Sequence, residues 1–151
     1  MSRKQKQENV ANRPPVCKAI LLCDDVSRDP ATAKTTISGI FDTFIVPSFP
    51  GSTSPCKLFL FLAEASGRWT ISAQIQDPSQ GVILFKSPGA GEFGDPEGPG
   101  KGELCLPVSA LRFERAGTYD MVVFAGDNEI GRLEFNARTR KDQPDVASNK
   151  K

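Results

Sequence analysis

The chain of 151 residues contains no histidine. Histidine is the one side chain whose ordinary pKa puts proton exchange near neutrality, so Ser-His-Asp and Cys-His nucleophile systems are excluded, and so are histidine-containing zinc sites. Long apolar runs are missing too. The longest, residues 58–63, is far short of the roughly 18–20 residues that span a bilayer. No apolar segment backs the basic residues at the amino terminus as a secretory leader requires, so the expectation is a cytoplasmic protein with reduced thiols and no membrane partner. Cysteine is sparse, and Cys17, Cys23, Cys56 and Cys105 form neither a Cys-x-x-Cys pair nor a zinc-ribbon spacing. They are expected to serve as small apolar core residues. Net charge is only +1, with 25% charged and 38% hydrophobic residues, which is ordinary single-domain composition.

Charge is nevertheless unevenly placed. Residues 1–15 hold Arg3, Lys4, Lys6 and Arg13 against Glu8, net +3. Residues 137–151 hold five basic side chains against Asp142 and Asp145, again +3, which leaves −5 on residues 16–136. An acidic folded domain at 16–136 between two disordered basic tails, 1–15 and 137–151, follows, because tails this poor in apolar residues cannot repay the entropy of ordering. Neither tail carries Tyr, Trp or Phe to stack on bases, and the body between them repels phosphate, so no nucleic-acid partner is expected.

Within the body, apolar residues alternate or form short runs separated by turn residues, which predicts eight strands: 16–23, 35–41, 57–64, 69–76, 82–86, 103–108, 118–124 and 130–136. No window shows a clean helical stripe. Residues 126–129, Gly-Asp-Asn-Glu, predict a hairpin turn because these residue types tolerate the left-handed backbone. In the segment 113–119 a Gly stands two residues before Tyr119 where a strand begins, a pattern similar to the tyrosine corner of immunoglobulin-type sandwiches. The fold class read from these signals is all-β, an immunoglobulin-like Greek-key sandwich.

Leu21-Leu-Cys-Asp24, Gly39-Ile-Phe-Asp42, Pro47-Ser-Phe-Pro50 and Ala116-Gly-Thr-Tyr119 together resemble a family of short bacterial proteins known only as a domain of unknown function. The resemblance runs over most of residues 16–136 and omits both tails. It implies a small, all-β, sandwich-like bacterial protein and brings no activity, cofactor or catalytic residue with it.

Two chemical motifs can be tested directly. Gly89-Ala-Gly91-Glu-Phe-Gly94 matches the dinucleotide G-x-G-x-x-G formally, but the Asp95-Pro96-Glu97-Gly98-Pro99 that follows cannot open a helix, and its acids repel a pyrophosphate. No nucleotide or other cofactor is therefore expected, and the segment is read as a long loop. Carboxylates at strand ends are the second candidate, since calcium takes six to eight oxygens from such places. Asp24, Asp25 and Asp42 would share an ion if the first two strands ended at one edge; the alternative is turn caps that bond backbone amides. The same acids leave a carboxylate-based hydrolase as the remaining enzyme reading.

The strand at 57–64 carries the most weight. Leu58, Leu60 and Leu62 point one way and Phe59, Phe61 and Ala63 the other, so both faces are apolar, whereas a two-layer sandwich covers only one. The second face must lie under a loop, such as residues 43–56, or under another chain. Val122 and Phe124 add outward apolar surface on the opposite alternation. Leu58, Phe59, Leu60, Phe61, Val122 and Phe124 are therefore the candidate interface. The sequence reads as a non-catalytic interaction or assembly module with a protein partner or self-association, with an ion-dependent binding module as the alternative.

Overall fold

A computed structural model describes residues 13–87, 91–94 and 100–140. Along the chain these form β1 (Val16–Cys23), β2 (Asp25–Arg28), β3 (Thr35–Ser38), β4 (Thr43–Val46), β5 (Gly51–Ser52), β6 (Cys56–Ala65) and β7 (Trp69–Asp77). There follow β8 (Val82–Lys86), β9 (Gly91–Phe93), β10 (Gly100–Val108), β11 (Arg112–Phe113), β12 (Gly117–Ala125) and β13 (Asn128–Thr139). All eight expected strands are present, but the one expected at 35–41 stops at Ser38, where Gly39 takes a φ of 68° and leaves Phe41 in an isolated bridge to Leu22. The all-β reading holds.

Two layers enclose the core. The smaller is the antiparallel sheet β1-β6-β10; the larger has the order β4-β13-β12-β7-β8, with β9 also on β7, and it curls toward a half-barrel. β1 lies beside β13 and β10 beside β9, so the layers approach each other at both edges. Leu22, Leu58, Leu60, Leu62 and Leu106 of the small sheet meet Ile71, Ala73, Ile75, Tyr119, Met121, Val123 and Phe135 of the large one, all buried. The seam between β1 and β13 needs a glycine, because a Cβ on Gly131 would stand 3.0 Å from the Cys17 Sγ.

Beyond the short unpredicted strands β2, β5, β9 and β11, three departures matter for the edges of the domain. Residues 43–46, read as loop because Pro47 and Pro50 follow, form β4, which pairs in parallel with Asn136–Thr139 and buries Phe44 and Val46. The same pairing carries β13 to Thr139, past the predicted limit at residue 136, so the first residues assigned to the carboxyl tail belong to the sheet. At the other end Pro15 is buried and the Arg13 carbonyl accepts the Ser66 amide at 2.9 Å. The rest of the two predicted tails, 1–12 and 141–151, lies outside the described residues. So does most of the Gly-rich loop, although Gly91–Phe93 within it pairs with β7.

The corner before β12 forms as the sequence suggests. The Tyr119 hydroxyl donates to the Arg115 carbonyl at 2.6 Å, while its ring packs on Phe113 and Phe135. Tyr119→Phe should therefore keep the ring packing and lose one buried hydrogen bond, a destabilisation of about 1 kcal/mol in a denaturant titration. An unchanged midpoint would show that the bond contributes nothing.

Candidate functional site

Pairing fixes which side of β6 faces out. Phe59 stands opposite Leu21 and Cys105, Phe61 opposite Ala19 and Glu103, and Ala63 opposite Val16, so these residues share the outer face of the small sheet. Leu58 and Leu60 face the core, both fully buried, and drop out of the candidate interface. Phe59 is also buried, at 6% exposure, although it points outward.

That burial arises within the single chain. β2 and β3 form a two-stranded ribbon that packs on β6. Within the ribbon Val26 pairs with Ile37 and Arg28 with Thr35, so these four share one face. Arg28 and the Thr35 hydroxyl both bond the Glu103 carboxylate on the outer face of β10, the arginine at 2.9 Å, which sets that side of the ribbon on the sheet. The hydroxyl bond, aided by the Arg28 charge, holds the Glu103 carboxyl below the usual carboxylate range. On the same ribbon face Val26 and Ile37, its one apolar residue per strand, are half-buried.

The ribbon ends before the other half of the face. Val16 and Phe61 remain 41% and 37% exposed, with Ala19 and Ala63 between them. Lys18 and Glu64 flank this row, paired at 3.4 Å with both side chains about half exposed. Lys18 sits in the bulge between Cys17 and Ala19 and Glu64 has a positive φ of 64°, so local irregularity aims both charges at the rim.

On the large sheet the expected outward patch is not open. Val122 is fully buried and Phe124 half-buried. Arg132, opposite Val122 across β12 and β13, bonds Asp120 at 2.8 Å and Glu129 at 2.9 Å. Being buried, Val122 leaves the candidate interface.

The aspartates do not converge. The single bridge between Leu22 and Phe41 runs antiparallel and sets Asp24 beside Gly39, where the Asp24 amide bonds the Ser38 and Gly39 carbonyls. The Asp24 carboxylate lies over Gly39, whose φ is +68° and where a Cβ would meet Asp24 Oδ2. Asp42 lies on the far side of Phe41, and its carboxylate accepts the Thr43 hydroxyl at 3.0 Å. Asp25 begins β2. Among the described residues no group of three or more His, Cys, Asp or Glu is placed to hold a metal ion.

The carboxylate with the most built environment is one that turn reading passed over. Asp77 is buried and accepts the Ser79 amide at 3.1 Å and hydroxyl at 2.8 Å, and the Arg115 guanidinium stands 2.7 Å from its other oxygen. Burial alone raises its pKa, but the Ser79 hydroxyl bond and the Arg115 charge outweigh that and hold it below the ordinary carboxylate value. The pair ties the end of β7 to the Tyr119 corner, 38 residues away, which is why no local pattern reveals it.

All four cysteines are free. Cys23 and Cys56 are buried and Cys17 is half-buried, as expected of core residues, and burial pushes the Cys56 thiol up to about 11. Cys105 departs from that reading. It is exposed on the outer face of β10, which lies at the sheet's edge. Among the described residues no helix is long and apolar enough to cross a membrane.

A sequence model described as "Family of unknown function (DUF6941)" matches residues 18–138. A search of curated proteins finds no match.

Proposed function

Because the chain belongs to this family of unknown function, from which no activity follows, we propose from the geometry that it is a non-catalytic interaction module that pairs with a second copy through the open half of its small sheet. The observation that carries this is the pair Val16 and Phe61, large apolar side chains left exposed on the outer face, with half-buried Ala19 and buried Ala63 between them. Lys18 and Glu64 at its rim have opposite signs, so a two-fold pairing sets each beside its opposite on the other copy. Burying a phenylalanine side chain contributes roughly 1.5–3 kcal/mol, which gives exposed Phe61 a reason to find cover. We read the frame as an immunoglobulin-like Greek-key sandwich, supported by the Tyr119 corner, and the setting as a bacterial cytoplasm, supported by four free thiols.

Phe61→Glu should abolish self-association in sedimentation measurements and leave the melting temperature within a few degrees, since the side chain is 37% exposed. A wild-type chain that stays monomeric at high concentration, or a variant that associates as well as the wild type, sinks the proposal.

A further inference from the structure

A second surface lies at the other end of β1. Ile20, Leu21, Leu22, Ile40, Phe41 and Leu133 line a cleft of about 330 Å³ whose one charged lining group is the Asp42 carboxylate. The cleft lies where β1, residues 40–42 and β13 come together. β13 is paired with β4 only from Asn136 onward, and β1 meets the residue 41 bridge only at Leu22. Among the described residues, the edges of β1 and β13 that flank the cleft have no ladder partner before those points. Ile40 forms an apolar wall, 59% exposed, and on its other side Asp24 lines a second depression. Neither aspartate has an ion-pair partner among the described residues.

Apolar lining, free strand edges and uncompensated carboxylates on both flanks describe an occupant. We propose that this cleft docks an extended cationic segment of a partner protein, one aliphatic side chain seated between Ile40, Phe41 and Leu133 and a neighbouring Lys or Arg paired with Asp42. The acidic domain, −5 over residues 16–136, supplies the complementary field. Strand-edge amides and carbonyls favour an extended ligand over a compact one, because they bond a backbone running alongside. The site is independent of Phe61.

The test is fluorescence anisotropy with a labelled peptide of alternating Lys and Leu, and the same peptide with Glu for Lys, on the full chain. Expected is saturable binding of the Lys peptide alone, weakened about tenfold by Asp42→Lys and about fivefold by Ile40→Ala, and unchanged by Phe61→Glu. Both variants alter exposed side chains, so they should melt as the wild type does. Equal binding of the two peptides, or affinities that ignore Asp42 and Ile40, overturns the proposal. A chain lacking residues 1–12 that binds much more tightly overturns the partner assignment, giving the cleft to the chain's own basic amino-terminal segment.

Discussion

Phe135→Ala should destabilise the protein by about 3–5 kcal/mol, a large share of the 5–15 kcal/mol that holds a domain of this size. Phe135 is fully buried in the middle of β13, and its ring meets three others: Phe44 at 5.3 Å, Phe113 at 6.2 Å and Tyr119 at 5.9 Å between centroids. Those partners come from β4, β11 and β12, so one ring fastens the edge strand, the short β11 and the tyrosine corner to the same point. Truncation leaves a cavity that none of these can fill alone. A chemical denaturation midpoint that falls by the equivalent of less than 1 kcal/mol would show that the cluster repacks. Phe135→Leu, which keeps most of the volume, should cost a fraction as much.

That cluster also marks how far the sequence could be read. Alternation identified every strand longer than four residues, including the two-faced apolar strand at 56–65, and the Ala-Gly-Thr-Tyr corner placed the Tyr119 hydroxyl correctly. Beyond local pattern the reading thins. Phe44 and Val46 sit between Asp42 and Pro47, and only parallel pairing with β13, some 90 residues on, makes a strand of them. Of the ribbon, β3 lies within the expected strand 35–41, but β2 escapes because Val26 is a single apolar residue among Asp, Ser and Arg, and the ribbon's anchor, Glu103, is 75 residues from Arg28. Val122 was read as outward, yet it is fully buried between its cross-strand neighbours Arg132 and Gln74, which periodicity cannot show. For the site, Phe61 was legible from alternation alone, whereas Ile40 and Asp42 become a cleft only when β1 and β13 approach each other.

Arg115→Ala should destabilise by about 2 kcal/mol at neutral pH, with a pH dependence that identifies the cause. Removing one partner of a buried ion pair costs roughly 3–5 kcal/mol when the other is left charged in the interior. Here the side chain of Arg115 is 40% exposed and that of Asp77 only 6%, so water screens part of the attraction and the cost is set lower. Asp77 keeps its Ser79 bonds in the variant but loses the guanidinium that offsets its burial. In the wild type its pKa is depressed below that of the unfolded chain, so its stabilisation is full above the unfolded value and is lost as pH falls through the folded one. In the variant the carboxyl is free to take up a proton at higher pH and so escape an unpaired buried charge. The stability difference between the two proteins should therefore shrink as pH falls through the ordinary carboxylate range, where Asp77 takes up its proton in the variant before it does so in the wild type. Asp77→Asn should behave differently, with a smaller loss at neutral pH, because it removes the buried charge and leaves only an exposed arginine. Denaturation midpoints of the three chains at pH 7 and pH 3 read this directly. A difference between wild type and Arg115→Ala that stays constant with pH would mean that the arginine acts by packing on the corner, through its aliphatic stem, and not by its charge.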